Sequence, residues 1–168
     1  MYFLYVIIKK VIYTSKFLCN MTDVVGSKTR SRMMAGIQGK NTKPEILIRS
    51  LLHRNGFRFR LHGDKLPGKP DIVLKKYQAV IFVHGCFWHR HLCHLFKWPK
   101  TRPDFWKDKI DKNVLNDQKV IKELTSLGWR ICIVWECSIK GVHKDHFAIS
   151  KKIGKWLKSD KQFREIEG

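Results

Sequence analysis

Acidic residues are scarce in this chain of 168 residues. It contains 14 Asp and Glu against 34 Lys and Arg, which gives a formal net charge of +20. Such a charge does not define a fold, but it predicts attraction to a polyanion. The alternatives are a basic surface that is only solvated and a surface that binds membranes peripherally. Because the basic residues are spread along the chain and interleaved with aromatic residues, nucleic acid is the favoured partner.

The sequence also lacks an apolar run long enough to span a bilayer, and we expect no membrane association. Its first apolar run, residues 2–8, is stopped by two lysines, and no signal-peptide cleavage site follows. Repeats, low-complexity tracts and interdomain linkers are absent as well. We expect residues 1–20 to be a start-site extension or a disordered leader, with Met21 as the functional start. Residues 21–168 are then expected to form a single domain.

The hydrophobic pattern predicts an α/β domain with a mixed β-sheet flanked by helices. Residues 79–84 are almost continuously apolar, which is typical of a central strand. Met34 and Ile37 recur at helical spacing, where core packing is the simpler role and insertion into a DNA groove the alternative. The expected order is a helix within 22–41, a helix after 42, strands at 57–61, 71–74 and 79–84, a helix at 103–127, a strand at 130–135 and a last helix.

One carboxylate, Asp71, stands where a turn leads into a strand. A hairpin from this point to His84 would bring Asp71 beside Val83 and His84. A carboxylate with a backbone carbonyl and waters can hold Mg²⁺, which activates water and stabilises a phosphodiester transition state. The simpler alternative is that Asp71 caps the turn. Glu45 likewise either closes a capping box with Thr42 or supports a neighbouring histidine.

The five Cys do not indicate a disulfide framework, because their number is odd and no secretion signal accompanies them. Cys86, His91 and Cys93 lie on one short loop, and Cys137 follows a later strand. Together they predict a Cys₃His set, the closed tetrahedral pattern of a structural zinc site. Buried cysteines with surface histidines are the alternative. Cys132, inside an apolar strand, is expected to be a core residue.

The same loop contains histidines and aromatic residues that the zinc site does not use. A histidine suits proton transfer near neutral pH, so we expect His89 to be a general base and His84 its helper. Two adjacent large aromatic residues, Phe87 and Trp88, do not both enter a core easily. An exposed pair would form a wedge that stacks on bases and opens a duplex step, and Trp106 could join it.

These residues resemble the very short patch repair endonucleases, a bacterial family that nicks DNA beside a T:G mismatch. The resemblance extends from about Met21 to about Gly141, and its most specific block is HGCFWHRHLC at residues 84–93. Val83 departs from the family's Thr, and Arg90 and Leu92 replace His within a His run. The other matching stretches are residues 29–37, 66–71, 80–83, 101–106 and 128–137.

The resemblance implies a restriction-endonuclease-like core over residues 21–168 and an endonuclease that nicks 5′ to the T of a T:G mismatch. Such mismatches arise when 5-methylcytosine deaminates. Catalytic Mg²⁺ is implied on Asp71 and the main-chain carbonyl of Val83, with His89 as the base. His84, Glu45 and Asp117 are implied to support this base. The resemblance also implies the zinc ligands Cys86, His91, Cys93 and Cys137, and a major-groove wedge of Phe87, Trp88 and Trp106. Contacts to the opposite groove are implied for Met34 and Ile37, and contacts to the mismatched pair for Lys109 and Asn113.

Double-stranded DNA with a T:G mismatch is therefore the expected partner of a monomer in the bacterial cytoplasm, at the nucleoid. Mismatch-repair proteins and DNA polymerase are the expected further partners. Two other functions stay open on these residues. One is a restriction endonuclease that cuts both strands on the same core, and the other is a zinc-stabilised DNA-binding module without catalysis.

Overall fold

The computed structural model describes residues 26–36, 39–141 and 145–168. The chain divides into two compact units, Met1–Ile37 and Gln38–Gly168. The second unit contains the β-sheet and all predicted site residues except the two opposite-groove contacts.

The described part of the first unit is helix α1, Ser27–Ala35, which lies within the predicted helical stretch. Its side chains are exposed at the positions that the structure describes. The predicted groove contacts, the side chain of Met34 and all of Ile37, lie outside the described residues. The same is true of the predicted leader, residues 1–20, and of Met21.

The second unit is built on a five-stranded mixed sheet in the order β1-β2-β3-β4-β5. β2 pairs antiparallel with both β1 and β3, whereas β4 pairs parallel with both β3 and β5. The predicted mixed sheet is confirmed, and β5 was not predicted. The strand expected at residues 57–61 is reduced to two residues, β1. The strands are β1 Arg60–Leu61, β2 Ile72–Leu74, β3 Ala79–His84, β4 Arg130–Trp135 and β5 Phe163–Ile166.

Helices flank both faces of this sheet because side chains alternate between the faces along each strand. On β3, Ile81 joins a core with helices α2 and α5, while Val80 and Phe82 join a second core with α3. Among the described residues, no helix combines the length and apolar character needed to cross a membrane. The helices are α2 Lys43–Arg54, α3 Pro103–Ser126, α4 Glu136–Ile139 and α5 His146–Leu157, with a 3₁₀ turn at Lys75–Tyr77.

Candidate active site and metal centre

The Asp71 carboxylate lies at the carboxyl end of β3. Its Oδ2 accepts a hydrogen bond of 2.8 Å from the backbone N–H of Val83. This contact follows from the antiparallel pairing of β2 with β3, which sets the residue before β2 beside the last residues of β3. The predicted hairpin is confirmed, and it gives Asp71 the predicted neighbour.

Burial raises the pKa of Asp71 from 3.8 to about 6. The hydrogen bond from Val83 acts in the opposite direction, the negative charge of Glu45 raises the pKa, and Arg49 lowers it. A buried carboxylate that resists ionisation in this way gains from a nearby cation, which stabilises its charged form. Its oxygen donors suit a hard cation such as Mg²⁺.

Glu45 is 3% exposed and closes the capping box at the start of α2. Its carboxylate accepts hydrogen bonds from the Thr42 hydroxyl at 2.8 Å and from Arg49 Nη2 at 2.7 Å. The backbone N–H of Asn41 donates a third at 3.0 Å. The capping prediction is therefore confirmed, and the same carboxylate acts electrostatically on Asp71.

His84, His89 and Asp117 come together from three different elements. The two imidazole rings are stacked, with centroids 3.7 Å apart and planes within 5°. His89 Nδ1 lies 2.6 Å from Asp117 Oδ2 on α3. When Nδ1 carries the proton and donates a hydrogen bond to this carboxylate, Nε2 keeps its lone pair for proton transfer. The sequence holds no local signal for Asp117, which is 28 positions from His89.

A cavity of about 140 Å³ adjoins these three side chains. A cavity of this size holds a few water molecules where polar partners line it. Gly68 lines it from the turn before Asp71, where a Cβ would lie 2.4 Å from Val120 Cγ1 and φ is +68°. Only glycine therefore allows this turn to approach α3. The remaining lining residues are Phe82, Asn116, Val120, Ile121 and Ile133.

The predicted zinc ligands also come together. The donor atoms of Cys86, His91, Cys93 and Cys137 lie within 4.8 Å of one another. His91 Nδ1 is 3.6 Å from Cys86 Sγ and 3.5 Å from Cys137 Sγ. A tetrahedral zinc with Zn–S of about 2.3 Å and Zn–N of about 2.05 Å places N and S about 3.6 Å apart. The donor types and these distances both fit zinc.

Burial raises the pKa of the Cys86 thiol and of the Cys137 thiol. Buried thiols of this kind bind a metal in their deprotonated form, so a bound cation replaces their protons. The backbone N–H of Cys137 points at Cys86 Sγ over 3.3 Å and can stabilise its thiolate. The local backbone is therefore already arranged for a metal.

Phe87, Trp88 and Trp106 form one aromatic cluster. The Phe87 centroid is 5.1 Å from Trp88 and 5.4 Å from Trp106, and the two Trp centroids are 6.1 Å apart. Phe96 and Trp98 extend the cluster, and Trp98 is 47% exposed. Sequence reasoning missed these two residues, whose only signal is their aromatic character.

Helix α3 holds the loop that follows β3 through side-chain contacts. Asn113 Nδ2 donates a hydrogen bond of 2.9 Å to the carbonyl of Trp88, and Arg90 forms an ion pair with Asp111. Lys109, on the same helix, is exposed. Asn113, which was predicted to contact the mismatch, thus holds the backbone of the loop at Trp88.

Comparison with known proteins identifies the family. A family model described as DNA mismatch endonuclease Vsr matches residues 22–95. The DNA mismatch endonuclease Vsr of Escherichia coli (strain K12) is 46% identical over 138 residues, which cover 82% of this chain and 88% of that protein. The chain belongs to the DNA mismatch endonuclease Vsr family. The resemblance and the predicted class of function, a mismatch endonuclease of very short patch repair, are thereby confirmed.

Other relatives are nicking enzymes. The type II nicking enzyme V.XorIIP of Xanthomonas oryzae pv. oryzae is 47% identical over 119 residues, 71% of this chain and 88% of that protein. The type II nicking enzyme V.NmeAIP of Neisseria meningitidis serogroup A is 47% identical over 120 residues, 71% of this chain and 86% of that protein. Both names agree with a DNA endonuclease activity for this Vsr family member.

Proposed function

We propose that the protein nicks duplex DNA 5′ to the T of a T:G mismatch left by deamination of 5-methylcytosine, on a restriction-endonuclease-like core. The observation that carries this proposal is the arrangement at the end of β3. A carboxylate, Asp71, lies at Val83, and a carboxylate-oriented histidine, His89, follows on the next loop. The names of the relatives, a mismatch endonuclease and nicking enzymes, support the substrate and the single-strand cut.

Asp71 and the carbonyl of Val83 would hold Mg²⁺, which supplies the positive charge that activates water and stabilises the phosphodiester transition state. His89 Nε2 accepts the proton of the attacking water. Asp117 accepts the Nδ1 hydrogen bond, keeps the ring in the required tautomer and stabilises the imidazolium that forms. His84 stacks on His89 and limits its rotation. Glu45 adds negative charge near Asp71, which favours cation binding.

The aromatic cluster supplies mismatch selectivity in this proposal. Phe87, Trp88 and Trp106 insert into the major groove and unstack a base step. Unstacking costs roughly a few kcal/mol, and the cost is lowest where pairing is already weak. Lys109 and Asn113 contact the mismatched pair. Because an amide nitrogen has two N–H groups, Asn113 can keep its bond to the Trp88 carbonyl and still contact a base.

On the opposite groove, Met34 and Ile37 supply apolar contacts in this proposal. We further propose that the protein acts as a monomer on chromosomal DNA in the bacterial cytoplasm, at the nucleoid, and that mismatch-repair proteins and DNA polymerase follow it.

The Cys₃His cluster would bind one structural zinc. Its ligands come from the loop after β3 and from Cys137 at the start of α4, so the metal would link two parallel strands at their carboxyl ends. His89 and Trp88 lie on the same loop as Cys86. Zinc would therefore fix the distance between the general base, the wedge and the scissile phosphate.

A nicking assay with Mg²⁺ tests the function directly. The substrates are T:G duplexes with varied flanking sequences, end-labelled on either strand, with the matched T:A duplexes as controls. We expect a single nick 5′ to the mismatched T and none in the G strand. Double-strand cuts in the T:A duplexes would indicate a restriction endonuclease. Tight binding of T:G duplexes without any nick would indicate a DNA-binding module.

A further inference from the structure

The two residues that follow β5 contact the Cys₃His cluster, a contact that the sequence did not indicate. Glu167 Oε2 lies 3.4 Å from His91 Nε2, and the N–H of Gly168 points at Cys137 Sγ over 3.4 Å. The side chain of His91 is 8% exposed, whereas that of Glu167 is 56% exposed. Glu167 is thus free to adjust at the rim of a buried site.

The remaining contacts of His91 fix how its ring can serve the cluster. Its Nδ1 faces the two sulfur atoms of Cys86 and Cys137. Its ring stacks on Trp135 with centroids 4.2 Å apart and planes within 13°. Nε2 is the other polar atom of the ring, and Glu167 is the carboxylate beside it. Nδ1 is therefore the nitrogen that faces the thiols, and Nε2 is the nitrogen beside the carboxylate.

We propose that Glu167 is a positioning residue for the zinc site. It accepts the Nε2 hydrogen of His91 and thereby selects the tautomer whose Nδ1 lone pair faces the metal. The Gly168 N–H acts with it by stabilising the Cys137 thiolate. This inference rests on the zinc site proposed above and adds to it the two residues that follow β5.

The physical reason is charge and orientation. A histidine that donates its second N–H to a carboxylate is a more basic and better oriented metal ligand. Three thiolates exceed the charge of one Zn²⁺, so an N–H directed at a sulfur also lowers the electrostatic cost. Since β5 is an edge strand paired along β4 from Phe163 to Ile166, zinc would tether its end to the loop that carries the active site.

A simpler explanation is a surface ion pair between Glu167 and a protonated His91. The two explanations differ in what zinc does. A ligand-positioning carboxylate strengthens zinc binding, whereas a carboxylate that only pairs with His⁺ competes with it, because zinc displaces the ring proton. Zinc affinity therefore separates them without an activity assay.

The test measures zinc affinity by competition with a chromophoric chelator, using the full chain. The Glu167→Gln variant should bind zinc about 10–100-fold more weakly than the wild type. The matched control Glu165→Gln, two residues earlier on β5, should bind as the wild type does. Co²⁺ substitution should give the same thiolate-to-metal charge-transfer band in all three proteins, because the ligands themselves are unchanged.

A second pair of variants tests the backbone donor. Gly168→Pro removes the N–H and should weaken zinc binding, whereas Gly168→Ala keeps the N–H and should not. Equal zinc affinity of Glu167→Gln and the wild type would overturn this inference alone. A wild-type protein that binds no zinc would overturn both the inference and the proposed zinc site.

Discussion

Two metal-capable clusters share the loop after β3 but are built from different atoms. One is formed by the rings of His84 and His89 and the carboxylate of Asp117, and only His84 among these is buried. Asp71 stands next to it through its hydrogen bond with Val83. The other cluster uses three sulfur atoms and one histidine nitrogen, with Cys86 and its partner cysteine on α4 fully buried. Partly exposed oxygen and nitrogen donors suit a centre that must admit water and a phosphate. Buried thiolates suit a metal that is not exchanged.

The loop serves both clusters because their residues alternate along it. His84 and His89 are five positions apart, and so are Cys86 and His91, two positions later. The backbone forms overlapping turns, with His89 N–H donating to the Gly85 carbonyl at 3.3 Å and His91 N–H to the Cys86 carbonyl at 3.0 Å. A substitution that moves the loop backbone should therefore affect both clusters. A substitution that changes only a donor atom of one cluster should leave the other cluster intact.

The Asp71→Asn variant should separate the two sites most clearly, because it should lose nicking activity and keep zinc. Loss of a metal-binding carboxylate should lower the nicking rate about a thousandfold, because the charge stabilisation it supports is worth several kcal/mol. Zinc content should stay unchanged, and the metal-free variant should not melt lower near neutral pH, because burial disfavours the ionised Asp71 carboxylate that it replaces. The control is Asp64→Asn, an exposed carboxylate on the preceding turn that pairs with Lys40. Nicking by Asp71→Asn at the wild-type rate would remove this carboxylate from the mechanism.

The converse change is Cys86→Ser, compared with Cys132→Ala. Both thiols are fully buried, but only Cys86 belongs to the cluster. Cys86→Ser should lose its zinc and melt about 10 °C lower, since a loss of about 3 kcal/mol shifts Tm by a few degrees per kcal/mol in a chain of this size. Cys132→Ala should keep one zinc. Metal analysis and thermal melts decide, and equal zinc content in both variants would contradict the assignment.

Two carboxylates on α3 allow a comparison within the loop itself. Asp117 contacts His89, and Asp111 pairs with Arg90. Asp117→Asn should lower the single-turnover nicking rate about a hundredfold, which is within the range of general-base effects. Asp111→Asn removes a half-exposed ion pair and should change the rate by less than about threefold. Equal effects of the two variants would mean that Asp117 only holds the loop in place.

Local patterns were sufficient for the parts of the fold that short segments determine. β3 and β4 are where the apolar runs predicted them, and the capping box at Thr42 starts α2 as expected. β5 was missed because it has only four residues, FREI, whose two adjacent charged residues give no alternating strand pattern. Its formation depends on pairing with β4, a contact that no local pattern encodes.

The site shows the same division. Three of the four cluster residues are within eight positions of one another and could be read directly from the sequence. Asp117 and Glu167 could not, because each meets its histidine only after the sheet and helices assemble. Asp117 was expected from the family resemblance alone.

The smallest expected effect concerns protons at the cutting site. Burial raises the pKa of Asp71 to about 6, so this group favours the metal-free folded state at low pH, and that contribution is lost as the pH rises from about 4 through 6. Mg²⁺ requires the ionised carboxylate, so its affinity changes in the opposite direction. Between pH 7.5 and pH 5, Mg²⁺ binding should weaken about tenfold, because about a tenth of the group is ionised one unit below its pKa.

Calorimetric titration of the wild type with Mg²⁺ at both pH values measures this change without involving the histidines' part in catalysis. Asp71→Asn, titrated in parallel, defines the signal that does not come from this carboxylate. An Mg²⁺ affinity that is flat between these pH values would mean that the cation does not bind at Asp71, and the division between an oxygen-based cutting site and a thiolate-based structural site would then have to be redrawn.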